Sequence, residues 1–156
     1  MIAHEDLGQC DYVLRLVVEE PNRLDVLFQA LFAKIERQYG VPAGPLIAIW
    51  GMETDYGAVL GNGKLIRPII RSLATLAYDG RRRDWAEAQL KDALDIVVDG
   101  RRARSGLKGS WAGAMGQTQF MPDNYLRLGV DQDQDGKVDI WTDDADALAS
   151  AANLLA

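Results

Sequence analysis

Glu53 interrupts an apolar pattern in the stretch IAIWGMETDYG, which covers residues 47–57. Leu46, Ile49 and Trp50 precede it by seven, four and three residues, so a helix here would place its carboxyl group on an apolar stripe. Burial and the negative end of the helix dipole both disfavour a charged carboxyl group. We therefore expect Glu53 to be buried and to retain its proton, as a general acid must when it protonates a glycosidic oxygen.

The alternative interpretation of Glu53 is a solvated glutamate, or one paired with an arginine, near a helix end. The residues that follow favour a cleft, because Gly57 opens the backbone and polar side chains surround it. Tyr56 and Trp111 are aromatic residues that can stack on sugar rings, although core packing is the commoner role of a single aromatic side chain. The local pattern thus points to a carbohydrate cleft without excluding a structural role.

No second carboxylate stands out as a partner for Glu53, although glycosidases ordinarily use two. Asp55 would point to a different face of the helix, and Asp79 and Asp84 lie beside the arginine cluster at 81–83, where ion pairs are expected. A mechanism with one carboxylate, in which the substrate supplies its own nucleophile, therefore remains open.

The segment DQDQDGKVDIWT has the spacing of an EF-hand calcium loop, with Gly136 at its sharp turn. The predicted ligands are the carboxylates of Asp131, Asp133, Asp135 and Asp139 and the carbonyl group of Lys137. Thr142 stands where the standard loop has a bidentate glutamate, so one of the aspartates at 143, 144 and 146 would have to replace it. Clustered carboxylates repel one another, and a cation relieves that repulsion. We predict a structural Ca²⁺, with a solvated acidic turn as the alternative.

The composition excludes several classes of function. The 156 residues suit one domain over 1–156, and a net charge of -6 argues against a nucleic-acid binder. The single cysteine and single histidine exclude an intrachain disulfide, a Cys/His zinc site and a triad built on an internal histidine. No apolar run approaches the roughly 20 residues of a membrane span, and the N-terminus does not read as a signal peptide. We expect a monomer.

The elements that must position these residues are mainly helices. Apolar residues recur at helical spacings, and no alternating pattern longer than about four residues indicates a long strand. We predict helices from Asn22 to Gly40, from Pro45 to Tyr56, within 68–80, within 82–100, after Pro122, and within 144–156. The predicted fold is therefore mainly α, with few and short strands.

Four blocks of the sequence, in order, resemble the membrane-bound lytic murein transglycosylase B family, whose members have a lysozyme-like catalytic domain. The resemblance runs from about Leu24 to the C-terminus. Its blocks are YGVPAGPLIAIWGMETDYGAVLGN, RSLATLAYDGRRRDW, LKGSWAGAMGQTQFMPDNYL, and DQDQDGKVDIW with the following DALASAANLLA. The resemblance implies a lysozyme-like catalytic domain with an EF-hand-like calcium loop.

The resemblance also implies an activity, namely cleavage of the β-1,4 bond between N-acetylmuramic acid and N-acetylglucosamine in peptidoglycan. In this reaction the muramic acid 6-hydroxyl group attacks the anomeric carbon of the same sugar and forms a 1,6-anhydro end. The resemblance implies that catalysis requires no cofactor. Glu53 matches the family's catalytic glutamate, and Ser110 and Gln119 match residues that hydrogen-bond substrate. Neutral hydrogen-bonding groups among small residues suit close approach of a ligand, although tight packing between elements is the alternative.

Two rival hypotheses remain. Because family members continue beyond SAANLLA and the connection GNGKLIRPIIRSLATL looks longer than usual, the chain could be a truncated domain that binds peptidoglycan weakly or without turnover. A calcium-responsive sensor is the other hypothesis, but it would normally carry a paired EF-hand. The resemblance places the full-length protein in the periplasm or cell envelope.

Overall fold

The computed structural model describes residues 26–80 and 82–156, which fold into a mainly helical arrangement. This confirms the predicted fold class. Its elements in chain order are α1 (Val26–Tyr39), α2 (Ala43–Thr54), a 3-10 helix (Ala58–Gly61), β1 (Arg67–Pro68), α3 (Ile69–Asp79), α4 (Arg83–Val98), β2 (Lys108–Gly109), α5 (Pro122–Leu128) and α6 (Asp144–Leu155). The predicted start of the first helix at Asn22 lies outside the described residues.

The predicted second helix differs from α2 at both ends. α2 begins at Ala43 rather than at Pro45, so the proline occupies the first turn of the helix, where the missing N–H costs no intrahelical bond. It ends at Thr54 because Asp55 and Tyr56 adopt positive φ angles of 51° and 56°. Left-handed backbone cannot continue a right-handed helix, so the chain turns directly after Glu53 and Thr54.

The core is formed by two groups of helices. α1, α2 and α6 pack against one another, α3 packs against α4, and α5 lies between α4 and α6. Ile35, Leu46, Leu73 and Leu148 are fully buried, and each such side chain stabilises the fold by roughly 1.5 to 3 kcal/mol. In α6, residues 147–152 are all buried, and its alanines let the neighbouring helices approach closely.

The strands form one small antiparallel pair. Arg67 pairs with Gly109 and Pro68 with Lys108, and isolated bridges continue from Gly109 to Met115 and from Met115 to Phe120. This pairing brings the glycine-rich segment of residues 109–120 beside the start of α3. No helix of the described part of the chain has both the length and the apolar character needed to cross a membrane.

Candidate functional site

Glu53 lies on an exposed surface of α2, so the prediction that it is buried is wrong. The buried residues of this helix are Leu46, Ile47, Trp50 and Thr54. The stripe therefore passes from Trp50 to Thr54 by a step of four, and leaves Glu53 at its edge. Thr54 can enter the interior because its hydroxyl group donates to the carbonyl oxygen of Gln117 at 2.6 Å, which satisfies the buried polar atom.

The turn after Glu53 is fixed by Tyr56 and Thr54. The Tyr56 ring contacts Trp50 edge-on, with centroids 5.4 Å apart, and lies so close to Gly51 that an added Cβ there would be 3.0 Å from the ring. The backbone N–H of Gly57 donates to the Thr54 hydroxyl oxygen at 3.1 Å. Tyr56 retains 39% exposure, so it contacts α2 while presenting part of its ring to solvent beside Glu53.

Gln117 joins this turn to the rest of the site, and the sequence analysis did not identify it. Its side chain is buried, and its Oε1 accepts a 2.6 Å hydrogen bond from the Trp50 indole N–H. Its Nε2 donates to Asp144 at 2.8 Å, and its backbone N–H donates to the Ile140 carbonyl oxygen at 2.8 Å. The Glu53 end of α2 is thereby attached to the glycine-rich segment and to the start of α6.

The glycines of residues 109–120 permit contacts that no side chain would allow. A Cβ on Gly109 would lie 1.9 Å from the Ala114 carbonyl oxygen, and one on Gly116 would lie 2.6 Å from the Ile140 backbone. The small residues are therefore required for packing, which was the alternative considered for this segment. The same segment also carries Ser110 and Gln119, the two polar residues predicted to bind substrate.

Ser110 and Gln119 are partly buried at opposite ends of this segment. The Ser110 hydroxyl oxygen accepts from the Ala114 backbone N–H at 3.1 Å, and the Gln119 amide donates to the Gly116 carbonyl oxygen at 2.9 Å. Gln119 has a positive φ of 53°, a strained conformation for a residue with a side chain. Of these two residues, Gln119 is nearer in sequence to the Gln117 contact with α2.

Trp111 has different neighbours from Tyr56. It is 70% exposed and lines a cavity of about 360 Å³ together with residues of β1 and α3. A second cavity, of about 790 Å³, is also lined by Pro68 and Arg71. Neither Glu53 nor Tyr56 lines either of these cavities, so Trp111 is the predicted aromatic ligand found there.

The acidic loop brings together three carboxylate oxygens, one each from Asp131, Asp133 and Asp146, within 4.8 Å of one another. A calcium ion bound about 2.4 Å from each oxygen fits between ligands at such separations. Gly136, at the predicted sharp turn, has a φ of 90°, and its N–H donates to Asp131. The donor set and the loop conformation both suit Ca²⁺, and Asp146 is the one of the three aspartates considered whose carboxylate lies in this group.

Asp146 is 1% exposed, and its two oxygens accept from the backbone N–H groups of Gln132 and Asp139, each at 2.7 Å. Desolvation raises its pKa, although these two N–H groups lower it. For Asp133, the Asp135 N–H lowers the pKa, but desolvation and nearby carboxylates raise it by more. In both cases desolvation and neighbouring carboxylates disfavour the charged form of the acid.

Asp135 and Asp139 do not belong to this group of three oxygens. Asp135 instead accepts from the Lys137 N–H at 2.8 Å. Asp139 pairs with Arg102 at 2.8 Å and accepts from the Thr142 hydroxyl group. Desolvation raises the pKa of Asp139, but these hydrogen bonds outweigh it and the pKa is lowered. The calcium-ligand roles of Asp135, Lys137 and Asp139 stay predictions.

The acidic loop is directly bonded to the glycine-rich segment. The Trp141 indole N–H donates to the Lys108 carbonyl oxygen at 2.7 Å, and Arg102 lies over the Trp141 ring at 4.5 Å. Lys108 directly precedes this segment, so these contacts and the Gln117–Ile140 hydrogen bond connect the loop to the start of the segment and to its second half. Gln117 lies between Ser110 and Gln119 in the sequence, and this position was a signal that it belongs to the site. Periodicity cannot show which groups its side chain would join.

Comparisons with known proteins agree with this architecture. A family model described as the transglycosylase SLT domain matches residues 25–156. Membrane-bound lytic murein transglycosylase B of Escherichia coli is 40% identical over 116 residues, which are 74% of this chain and 31% of that protein. The chain therefore spans about a third of the length of this relative.

Solved structures match as well. SltB3 from Pseudomonas aeruginosa, in complex with NAG-NAM-pentapeptide, is 43% identical with a TM-score of 0.76, covering 96% of this chain and 37% of that one. The Escherichia coli lytic transglycosylase Slt35 in complex with calcium is 30% identical with a TM-score of 0.73, covering 97% and 44%. The fold and the family match together show that this chain belongs to the transglycosylase SLT domain family.

Proposed function

We propose that this chain is the catalytic domain of a peptidoglycan lytic transglycosylase that cleaves between N-acetylmuramic acid and N-acetylglucosamine and forms 1,6-anhydromuramic acid ends. The observation that carries the proposal is the position of Glu53. It is an exposed carboxyl group at the end of α2, beside a turn fixed by Thr54, Tyr56 and Gln117. An acid held on a rigid element but open to a ligand is suited to proton transfer.

In the proposed reaction, Glu53 donates its proton to the glycosidic oxygen as the bond to the anomeric carbon breaks. The muramic acid 6-hydroxyl oxygen then bonds to that carbon, and its proton passes to the Glu53 carboxylate, which restores the starting acid. No water is consumed.

Four further residues are proposed to bind the glycan. Ser110 and Gln119 offer neutral hydrogen-bonding groups on the glycine-rich segment, and Tyr56 and Trp111 offer exposed ring surface. The hydrogen bonds that Ser110 and Gln119 make with their own segment leave the remaining hydrogen-bonding capacity of each side chain for a sugar. Trp111 lines a cavity that Glu53 does not line, so we propose that it contacts sugars away from the cleaved bond.

The test is incubation with purified peptidoglycan and mass spectrometry of the soluble products. We expect anhydromuropeptides from the parent chain and none from Glu53→Gln, which keeps the size of the side chain but cannot supply the proton. Glu87→Gln, an exposed glutamate of α4, is the matched control and should behave like the parent. Reducing-end products would identify a hydrolase, and binding without products would favour the non-catalytic hypothesis.

Ca²⁺ is proposed to bind Asp131, Asp133 and Asp146, with the predicted ligands Asp135, Asp139 and the Lys137 carbonyl group completing the set. Its chemistry would be neutralisation of clustered negative charge, which keeps the loop and its bonds to Gln117 and Lys108 in place. A relative solved with calcium supports this assignment. A role for Asp139 requires it to share its carboxylate with Arg102.

Calcium binding should raise the thermal midpoint of chelator-stripped protein by several degrees at millimolar concentration, because a ligand that binds only the folded state stabilises it. Asp131→Asn should reduce this rise, whereas Asp84→Asn, in the first turn of α4, should not. An unchanged midpoint of the parent would refute the calcium site.

The proposed partners are peptidoglycan glycan strands, approached by a monomer in the periplasm or cell envelope. A relative whose name describes it as membrane-bound supports an envelope location. Sedimentation of the chain with and without soluble glycan strands tests the oligomeric state.

A further inference from the structure

Gln117 is held between the acidic loop and the end of α2 by hydrogen bonds on both sides. Towards α2, its Oε1 accepts from the Trp50 indole N–H and its carbonyl oxygen accepts from the Thr54 hydroxyl group, each at 2.6 Å. Towards the loop and α6, its backbone N–H donates to the Ile140 carbonyl oxygen and its Nε2 to the Asp144 carboxylate, each at 2.8 Å. A residue that is only 3% exposed thus contacts both regions at two points.

The amide oxygen of Gln117 also lies against the turn at the end of α2. A Cβ added to Gly57 would be 2.9 Å from that oxygen, so the backbone of the turn and the amide group are in close contact. Gly57 has a φ of 85°, and its N–H donates to the Thr54 hydroxyl oxygen. On the other side, a Cβ on Gly116 would be 2.6 Å from the Ile140 carbonyl oxygen. Because the packing is close on both sides, a displacement of Gln117 would displace the turn.

Asp144 determines which way the Gln117 amide group faces. In the observed orientation the amide oxygen faces the Trp50 N–H, and the amide nitrogen faces a carboxylate. The reverse orientation would place two donors together at Trp50 and two acceptors together at Asp144, so neither hydrogen bond would form. The bond to Asp144 is also charge-assisted, which makes it stronger than a bond between neutral groups. Asp144 therefore holds Gln117 in the orientation that bonds α2.

The capping of α6 does not require the Asp144 carboxyl group. Asp143 occupies the N-cap position, and its side chain accepts from the Asp146 N–H at 2.9 Å. Asp144 is half-buried, and its Oδ1 accepts from Gln117 instead. Asp146, in the same turn, belongs to the three-carboxylate group of the acidic loop. One turn of α6 thus carries both the Gln117 partner and a proposed calcium ligand.

We propose that Asp144 is a positioning residue that couples the acidic loop to the glycan site at Glu53, so that calcium and glycan strengthen each other's binding. The proposal rests on the proposed function, since it assigns regulation of the same site. Calcium would fix Asp146 and with it the first turn of α6, Asp144 would then hold Gln117, and Gln117 would hold the end of α2. Without calcium, repulsion between the clustered carboxylates favours other positions of this turn, and the fraction of molecules competent to bind glycan falls.

The test measures glycan binding with and without calcium. The probe is a peptide-free tetrasaccharide of alternating N-acetylglucosamine and N-acetylmuramic acid, and isothermal titration calorimetry is carried out with Glu53→Gln, which prevents cleavage during the measurement. We expect millimolar calcium to tighten tetrasaccharide binding about fivefold or more relative to chelator-treated protein. Saturating tetrasaccharide should tighten calcium binding by the same factor, because coupling between two binding sites is reciprocal.

Variants of Asp144 in the Glu53→Gln background separate positioning from stability. With Asp144→Leu, calcium should still bind but should change the tetrasaccharide affinity by about twofold at most. Asp144→Asn keeps an oxygen that accepts from the Gln117 amide, so it should retain most of the coupling although the negative charge is lost. Asp84→Leu, in the first turn of α4, is the control and should couple as the parent does. A merely stabilising role of Asp144 would lower the thermal midpoint without changing the ratio of the two affinities.

The indole N–H resonance of Trp50 gives a second measurement that needs no glycan. Because this group donates to Gln117, calcium should shift its proton resonance in the parent chain and not in Asp144→Leu. The signal is assigned by its loss in Trp50→Phe. The proposal is overturned by absent or calcium-independent tetrasaccharide binding, or by a Trp50 resonance that calcium does not move. Full coupling in Asp144→Leu, or equal loss of coupling in Asp144→Asn and Asp144→Leu, would also overturn it.

This proposal and the proposed function fail in different ways. If calcium tightens tetrasaccharide binding through Asp144 but the parent chain forms no anhydromuropeptides, the proposed cleavage fails and the coupling stands. If anhydromuropeptides form while tetrasaccharide binding is the same with and without calcium, the coupling fails alone.

Discussion

Glu53 and Asp146 are carboxylic acids at opposite kinds of helix end, and their surroundings are opposite as well. Glu53 is exposed at the C-terminal end of α2, and its carboxyl group has no hydrogen bond or ion pair with another described residue. Asp146 is buried in the first turn of α6 and accepts two backbone N–H groups. The first is available to a ligand, whereas the second holds the acidic loop together.

Because of this difference, we expect Glu53 to matter for cleavage and Asp146 to matter for stability. The environment of Glu53 is built by other residues, chiefly Thr54 and Gln117, so the acid itself contributes little to folding. Asp146 occupies the interior, where removal would leave two N–H groups without acceptors. Variants at the two positions should therefore affect different measurements.

The largest expected effect is the loss of peptidoglycan cleavage in the variant Glu53→Gln. We expect the rate of anhydromuropeptide formation to fall by about a thousandfold or more, because one proton transfer and its reversal are lost. The thermal midpoint should change little, since the side chain is exposed. Product release assays and differential scanning calorimetry on the same sample test both statements. A fall in the midpoint as large as that of a core variant would contradict the contrast with Asp146.

Asp146→Ala should show the reverse pattern. Two buried backbone N–H groups lose their acceptor, so we expect the free energy of unfolding to fall by roughly 2 to 4 kcal/mol. Urea denaturation measures this change. Asp84→Ala is the control, because Asp84 also lies in the first turn of a helix but is exposed, and it should cost much less. Similar losses for the two variants would show that the dipole interaction, rather than the buried bonds, explains the effect.

Gln117→Leu should affect both measurements, because Gln117 connects the two regions. The buried Trp50 indole N–H and Asp144 would lose partners, so we expect roughly 1 to 3 kcal/mol of destabilisation and about tenfold slower cleavage. Gln38→Leu, at an exposed position of α1, is the control. Normal cleavage by a destabilised Gln117→Leu would confine this residue to a structural role.

The smallest expected effect concerns Tyr125, whose hydroxyl group donates to the Val138 carbonyl oxygen at 2.8 Å. Burial raises its pKa from 10.0 to about 12, against smaller opposing effects of Arg101 and Arg102. A raised folded-state pKa gives stability that is complete below pH 10 and is lost as the pH rises through 12. Across this window Tyr125→Phe should lose roughly 1 to 2 kcal/mol less stability than the parent.

Urea denaturation at both ends of this pH window tests the Tyr125 prediction. Tyr78→Phe is the control, because Tyr78 is 89% exposed and should leave the alkaline loss unchanged. An equal alkaline loss in the parent and in Tyr125→Phe would show that this tyrosine does not govern stability near the acidic loop.

The helices were predictable because their signals are local. Apolar residues at helical spacings, Pro45 and the glycines at 40 and 80 were enough to locate α1 to α3 within a few residues. The end of α2 was less certain, since the positive φ angles of Asp55 and Tyr56 depend on contacts of their side chains with the helix. Local pattern cannot specify such contacts.

The candidate site was predictable in part. The resemblance identified Glu53, Ser110 and Gln119 as candidates, and the aspartate spacing predicted the acidic loop. The exposure of Glu53 was predicted wrongly, because periodicity does not show that Thr54, with its hydroxyl bonded to Gln117, would enter the interior instead. The larger cavity at the start of α3 was not predicted, since Arg71 and Arg104 line it together only in three dimensions.

The sequence alone determined the helical class, the choice of Glu53 as the candidate acid and the aspartate spacing of the acidic loop, because each of these depends on residues close together in the chain. Tertiary structure decided which acid is exposed, which aspartate joins Asp131 and Asp133, and which glutamine connects the two regions. The physical reason is that burial and hydrogen bonding depend on partners far apart in sequence. Gln117, which bonds residues 67 positions before it and 27 after it, shows this most clearly.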